Sequence, residues 1–332
     1  MKNIKRIAVV TGGAGFIGSH MVDLLLRKNY KVKVIDNLSG GRLENIKKHF
    51  KNKNFYFQKK DICKIEPEHK FFKSCDYVFH FAGIGDIVPS IENPIKYLKT
   101  NVIGTANVLK AAKKASVKKF IYSASSSCYG LEKVPTSEKD KINPLYPYAM
   151  SKYMGEKLCF HWHKLYKLPV ISIRIFNAYG PRVKTTGVYG AVFGVFFKQK
   201  LENKPYTIVG NGNQKRDFTY VTDVVDVFIK CIKYKKNCQI FNVGSGQAHS
   251  VNKICSLLGG EKQSIPLRPG EPRITFADIK KISRELKWKP KIKIEQGVNL
   301  VLKNINYWDK APLWTKKRIK IATKDWFKYL KD

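Results

Sequence analysis

The stretch from Ile7 to Asp36 restricts the fold of this chain most. Ile7-Ala8-Val9-Val10-Thr11 is a short unbroken apolar run, the kind a strand buried on both faces requires. It passes directly into Gly12-Gly13-Ala14-Gly15-Phe16-Ile17-Gly18 and then into a helical pattern, Met21-Val22-Leu24-Leu25-Leu26. Glycines at 12, 15 and 18 allow a tight turn, close approach of backbone to a pyrophosphate and close packing of helix on strand. The helix N-terminus behind them offers free N–H groups and a positive dipole end to phosphates. A second strand, Val32-Lys33-Val34-Ile35, ends at Asp36, 18 residues after Gly18, where a carboxylate can accept from the ribose 2′- and 3′-hydroxyls. It would repel a 2′-phosphate, so the cofactor expected is NAD rather than NADP.

Downstream the strand–helix alternation continues. Phe55-Tyr56-Phe57 leads into Asp61-Ile62, and Tyr77-Val78-Phe79-His80 into Phe81-Ala82-Gly83. Next come a helix around Ile95 to Ala115 and the strand Phe120-Ile121-Tyr122-Ser123. The pattern predicts an α/β fold, a Rossmann-like doubly wound parallel sheet. Asp61, Ile62, Phe81, Ala82 and Gly83 then fall at the carboxyl ends of strands, along the cofactor groove. His80 reads as a packed strand residue. The fifth strand ends in Ser123-Ala124-Ser125-Ser126-Ser127, and beyond it Tyr148 and Lys152 stand at a four-residue spacing, one turn apart on one helix face. A phenol titrates near pH ~10, and bringing it to about 7 takes roughly 4 kcal/mol, which a nearby ammonium and a cofactor charge can contribute. Tyr-x-x-x-Lys alone carries little weight. Beside a serine-bearing strand end and a dinucleotide turn it marks a polar cluster suited to acid/base work.

Composition excludes several alternatives. No apolar run reaches the ~18 residues of a membrane span, and Met1 to Arg6 runs directly into a strand, so neither membrane insertion nor a signal peptide is expected. The seven cysteines are scattered without ligand spacing, which points to a reducing cytoplasm and no metal site. The net charge of +38 comes mostly from Lys dispersed through the chain, with Arg scarce. Sequence-specific nucleic-acid readers favour Arg and basic tails form blocks, so a general attraction to polyanions, nucleotides included, is the reading, with no specific nucleic-acid partner.

Taken together, the chain resembles the extended short-chain dehydrogenase/reductase family, within it the nucleotide-sugar epimerases and dehydratases, and among these the UDP-hexose 4-epimerases. The likeness covers essentially the whole chain. Besides the glycine turn, Asp36-Asn37-Leu38-Ser39, Ser125, Tyr148 and Lys152, it rests on four further segments. These are Asn101-Val102-Ile103-Gly104-Thr105, Arg174 to Arg182 (RIFNAYGPR), Gln214 to Phe218 (QKRDF) and Arg268 to Pro272 (RPGEP). The resemblance implies an NAD-binding Rossmann domain over 1–176 and a smaller mixed α/β substrate domain over 177–332, with chain crossing back near 220–247. It implies Tyr148 as acid/base, Lys152 on the nicotinamide ribose and lowering the tyrosine pKa, and Ser125 on the sugar's C4 oxygen. Asn37 and Asn101 would join Gly12, Gly15, Phe16, Ile17, Gly18, Asp36 and the strand-end residues around NAD. Ser126, Asn177, Tyr206, Arg216, Arg268, Glu271 and Thr275 would hold a nucleotide sugar, UDP-linked, with Tyr206-Thr207-Ile208 forming a small strand that faces the base. It also implies a homodimer packed through helices at about 94–115 and 147–166.

Members share oxidation at C4 and differ in the fate of the 4-keto sugar. A 4,6-dehydratase uses an Asp-Glu pair directly after the position of Ser125, and a UDP-glucuronate decarboxylase carries Glu at that of Ser127. Here both positions are serine. What remains is 4-epimerisation of UDP-glucose, UDP-GlcNAc or a UDP-uronic acid. A dehydratase or 4-ketoreductase with an unusual acid is the second enzymatic reading, and a dinucleotide-sensing or RNA-binding scaffold the non-enzymatic one. Gly85-Asp86 stands where UDP-galactose epimerases often have Lys. Thr275, small where a Tyr gatekeeper often stands, leaves room for a 2-acetamido group. A uronate carboxylate would look to Arg182 or Lys184. The aromatic, basic C-terminal stretch, with Ile319, Ala322, Trp326, Tyr329 and Leu330 at helical spacing, reads as an amphipathic helix docked on the body.

Overall fold

The computed structural model describes residues 6–183 and 192–330. Seven parallel strands form one sheet: β1 (Ile7–Thr11), β2 (Lys31–Asp36), β3 (Phe55–Lys59), β4 (Tyr77–His80), β5 (Lys119–Ser125), β6 (Val170–Ile175) and a late strand, Gln239–Val243. From edge to edge their order is Gln239–Val243, β6, β5, β4, β1, β2, β3. The order reverses at β1, which lies between β4 and β2 with Thr11 level with both His80 and Ile35. Loops leaving β1 and β4 therefore diverge, and the crevice between them is where an open sheet of this kind takes a ligand.

Helices cover both faces, as the unbroken apolar strands require. In β1, Ala8 and Val10 point into one core with α1 (Phe16–Arg27) and the helix Val221–Cys231, while Val9 points into the other with the helix Thr105–Lys114 and Cys159. This is the doubly wound arrangement that the alternation predicts. The helix expected around 95–115 is present as Pro94–Leu98 and Thr105–Lys114, joined by a π-helical turn at Lys99–Gly104. Such turns often sit at functional positions.

The remaining chain builds a second core of stacked aromatics, with Tyr179 on Phe193 at 4.7 Å between ring centres and Phe197 on Trp308 at 4.6 Å. Its short sheets include Tyr206–Val209 paired with Lys262–Ile265, and Lys215–Arg216 held between His249–Ser250 and Ile274–Thr275. The chain crosses back to the large sheet through Val221–Cys231 and Gln239–Val243. It also returns a second time, beyond the crossing expected near 220–247. Ile282, Leu286 and Trp288 fill the same core as Val224 and Phe241. The C-terminal stretch is not one helix but two, Lys316–Ala322 and Lys324–Tyr329, broken at Thr323. Ile319 and Trp326 are buried, whereas Tyr329 points to solvent.

Candidate active site

The groove at the topological switch is floored by the glycine turn. A Cβ on Gly18 would stand 2.2 Å from the Gly12 carbonyl oxygen, and one on Gly12, whose φ is +70°, would stand 2.6 Å from the Ala82 amide nitrogen. Only glycine leaves this space, and the α1 N-terminus opens into it. Gly12, Gly15, Phe16, Ile17, Gly18, Asp36, Asn37, Ile62, Phe81, Ala82 and Gly83 all line a cavity of about 560 Å³. Asp36 sits at the end of β2, accepting from the backbone N–H of Ala14 at 2.9 Å and Leu38 at 2.8 Å. Burial pushes its pKa up and those amides oppose the shift. Asn37 donates to Asp61 at 3.1 Å, and Asp61 also caps the turn at Ile62 by accepting from the Cys63 N–H at 2.8 Å. Asp61 therefore braces the rim rather than lining the groove.

Asn101 also departs from its expected place. Its side chain is buried and does not face the groove. It accepts from the Ile84 N–H at 2.8 Å and donates to the Ile84 carbonyl at 3.0 Å and to Ser151 Oγ at 2.9 Å. Ser151 in turn donates to the Tyr148 carbonyl at 2.8 Å. The π-helical turn thus links the loop after β4 to the first turn of the helix Pro147–Tyr166. Both polar atoms of this amide hydrogen-bond the protein, so Asn101 positions the Ile84 loop and Ser151.

A second cavity, of about 470 Å³, shares Phe16, Ile17, Phe81, Gly83, Ile84 and Ser123 with the first. At the junction stand Ser125, Tyr148 and Lys152. Ser125 ends β5, accepts from the Ser127 N–H at 3.2 Å and lines the cavity beside Tyr148. Burial pushes the Tyr148 phenol up to about 12, and the Ser125 hydroxyl opposes the shift. Burial brings the Lys152 ammonium down to about 8, its Nζ lying 4.6 Å from the centre of the Tyr122 ring. The resemblance implies Lys152 as the group that lowers the tyrosine. In the structure Lys152 is itself desolvated, packed toward Tyr122 and Gly83. His80 is fully buried between Thr11 Oγ1 at 2.6 Å and Thr105 Oγ1 at 2.9 Å, a packed strand residue held down at about 3 by burial.

Ser126, Asn177, Arg216, Arg268, Glu271 and Thr275 line the same second cavity. Glu271 lies between the two arginines, with Arg216 Nη2 at 2.8 Å and Arg268 Nε at 3.1 Å. Asn177 donates to Thr275 Oγ1 at 3.0 Å. Two partly buried guanidiniums lining the cavity that holds Tyr148 suit a bidentate phosphate ligand.

These features can be set beside known proteins. Residues 8–244 match the model of the NAD dependent epimerase/dehydratase family. The chain belongs to that family. A putative UDP-glucose 4-epimerase of Methanocaldococcus jannaschii is 36% identical over 303 residues, covering 89% of this chain and 96% of that one. UDP-glucuronic acid decarboxylase 1 of Xenopus tropicalis is 33% identical, covering 93% and 73%. Among solved structures, the UDP-glucuronic acid 4-epimerase from Bacillus cereus in complex with UDP-glucuronic acid and NAD superposes with a TM-score of 0.85 at 34% identity, covering 90% of this chain and 99% of that one.

In this epimerase/dehydratase chain, two further expectations need correction. Tyr206 lies on the expected small strand, but its side chain is only 2% exposed, packs 5.0 Å from the Phe196 ring and donates to the Gly259 carbonyl at 2.7 Å. The strand's alternation sends the tyrosine into the second core, so it does not line the cavity. Arg182 faces away from the sugar end, with Nη2 held by Asp23 at 2.8 Å, while Lys184 lies outside the described residues. The structure adds Tyr146, Tyr129, Ser127 and Trp326 to the lining of the second cavity. Tyr146 stands two residues before Tyr148, close enough for that proximity to mark it. Trp326 carries no such signal, because nothing local to it points to a site 178 residues away at Tyr148.

Proposed function

We propose that this chain is an NAD-dependent nucleotide-sugar 4-epimerase acting on a UDP-linked hexose or hexuronate. The observation that carries the reading is the placing of Ser125, Tyr148 and Lys152 where the glycine-floored groove meets the arginine-lined cavity. The glycine cradle and Asp36 fit the dinucleotide, which when bound supplies a reversible hydride acceptor beside C4. Tyr148 takes the C4 hydroxyl proton and returns it, Ser125 orients the C4 oxygen, and Lys152 holds the nicotinamide ribose. Arg216 and Arg268 take the diphosphate, with Glu271 between them exchanging an arginine for the nucleotide ribose, and Asn177 stands at the diphosphate's other side. The 4-keto sugar turns in the cavity and is reduced on its opposite face.

The turn after Ser125 (Ser126–Tyr129) carries no carboxylate, which disfavours dehydration and decarboxylation. The small Thr275, its hydroxyl engaged by Asn177, supports tolerance of a 2-acetamido group. Incubation with UDP-glucose, UDP-GlcNAc and UDP-glucuronate, with NMR of the products, tests the assignment. A 4-epimer is expected, and a lost C6 hydroxyl or released carbon dioxide would refute it.

We read residues 1–176 as the cofactor domain and 177–332 as the substrate domain. A homodimer through Pro94–Leu98, the π-helical turn Lys99–Gly104, Thr105–Lys114 and Pro147–Tyr166 is supported by apolar side chains left in solvent there, Ile95 at 72% and Ile103 at 54% exposure among them. Sedimentation as a 38.1 kDa monomer would refute it. Seven unpaired cysteines suit a reducing cytoplasm. No helix among the described residues is long and apolar enough to cross a membrane.

A further inference from the structure

The two C-terminal helices lie over the nucleotide end of the second cavity. Ile319, from Lys316–Ala322, packs on Val209 and Ile265 and lines the small pocket beside Arg216, Arg268 and Glu271. Trp326, from Lys324–Tyr329, is 3% exposed and contributes a wall of the main cavity. Its indole makes three contacts of different kinds. The N–H donates to the Pro269 carbonyl at 2.8 Å, the ring lies 5.8 Å from Tyr146, and the Arg268 guanidinium stands 6.0 Å from the ring centre. The same short helix packs on Val88–Glu92, at the mouth of the cofactor groove.

An indole in this position touches both halves of the proposed site. Pro269 comes directly after Arg268, so the N–H bond tethers the turn that carries the arginine. A Pro-Gly turn is a weak support for a guanidinium unless something outside the turn holds it. Tyr146 lines the same cavity as Ser127, Arg216 and Glu271, between the serine turn and the arginines, and Trp326 backs it.

We infer that the C-terminal helical pair is part of the nucleotide-sugar site, with Trp326 as a positioning residue that sets Arg268 and Tyr146 for a nucleoside diphosphate. The inference rests on the reading of this cavity as a UDP-sugar site. Its consequence is selective. Trp326 governs affinity for the nucleotide and leaves the cofactor groove and the proton transfer at Tyr148 alone.

The test titrates the full-length protein with UDP by calorimetry, in wild type, Trp326→Phe and Trp326→Ala. Melting temperature, NAD affinity, kcat and KM are measured alongside. Trp326→Phe keeps an aromatic wall and loses only the N–H tether, so UDP binding is expected to weaken roughly 3- to 10-fold. KM should rise accordingly, with kcat, NAD affinity and melting temperature unchanged. Trp326→Ala is expected to weaken UDP binding further. Equal UDP affinity in all three proteins overturns the inference and leaves the epimerase reading standing. A wild type that binds no UDP overturns the UDP-sugar reading and the inference with it.

Discussion

Replacing Lys152 with Met is expected to abolish epimerisation and make the protein more stable. The ammonium is enclosed beside the Tyr122 ring, and burial lowers its pKa from 10.5 to about 8. That lowering, about 2.5 on the pH scale, corresponds to about 3 kcal/mol by which the folded state is penalised at neutral pH for holding this charge. Met fills a similar volume without the charge, and loses a cation–π contact worth about 0.5–2 kcal/mol. The net gain expected at pH 7 is therefore about 1–3 kcal/mol, or a melting temperature higher by about 2–4 °C in a chain of this size. Proton binding sets the sign with pH. Between about pH 8 and 10.5 the unfolded lysine is protonated and the folded one is not, so the unfolded state binds more protons and wild-type stability rises with pH. The penalty is complete below pH 8 and gone above 10.5, so the gap between variant and wild type should close across that window. Scanning calorimetry of both proteins at pH 7, 9 and 10.5 without added NAD reads it directly. A variant less stable than wild type at pH 7, or a gap that does not change with pH, would refute the reasoning.

Three further outcomes are expected. Tyr148→Phe should lower kcat about 10²- to 10⁴-fold while NAD affinity, measured by fluorescence titration, stays within about twofold. Gly18→Ala places a methyl group 2.2 Å from the Gly12 carbonyl oxygen, so NAD affinity should fall more than about 100-fold while UDP binding by calorimetry is retained. Glu156 and Arg174 form a buried ion pair, with Nη2–Oε1 at 2.5 Å and Nε–Oε2 at 3.0 Å, one turn beyond Lys152. Glu156→Ala leaves a guanidinium buried without its partner and should cost about 3–5 kcal/mol in chemical denaturation, whereas the joint change Glu156→Leu with Arg174→Leu should cost less than the single one.

What the sequence discloses divides along physical lines. The glycine turn, Asp36, the alternating strands and the Tyr148–Lys152 spacing are legible because local backbone geometry and helix periodicity determine them. Arg216 and Arg268 are legible only through resemblance, since a turn arginine ordinarily faces water and here tertiary packing encloses both. Tyr206 belongs to a strand of four residues with two faces, and nothing in Tyr-Thr-Ile-Val says which of them the aromatic core takes. The motif around Asn101 points to the right region and the wrong task. It marks the π-helical turn, but only coordinates reveal that the amide is consumed by Ile84 and Ser151. Trp326 and the second return of the chain at Ile282 to Trp288 are long-range contacts with no local pattern to announce them.

The burial that surrounds Tyr148 also bears on which chemistry the site can carry. The phenol is held up at about 12 and the ammonium down at about 8 by the same desolvation, so each additional ionised group in this space is expensive. A dehydratase or decarboxylase with an acidic residue on the turn after Ser125 would add a carboxylate to that region. Ser126 and Ser127 add none, and Ser127 gives its N–H to Ser125. Proton transfer out of and back to C4 leaves the count of charges on the protein unchanged over a full cycle and needs one titrating group. This pocket supplies a phenol at Tyr148 with Ser125 beside it, and an amide relay from Ile84 through Asn101 and Ser151 fixes the backbone of Tyr148 without placing another charge beside it.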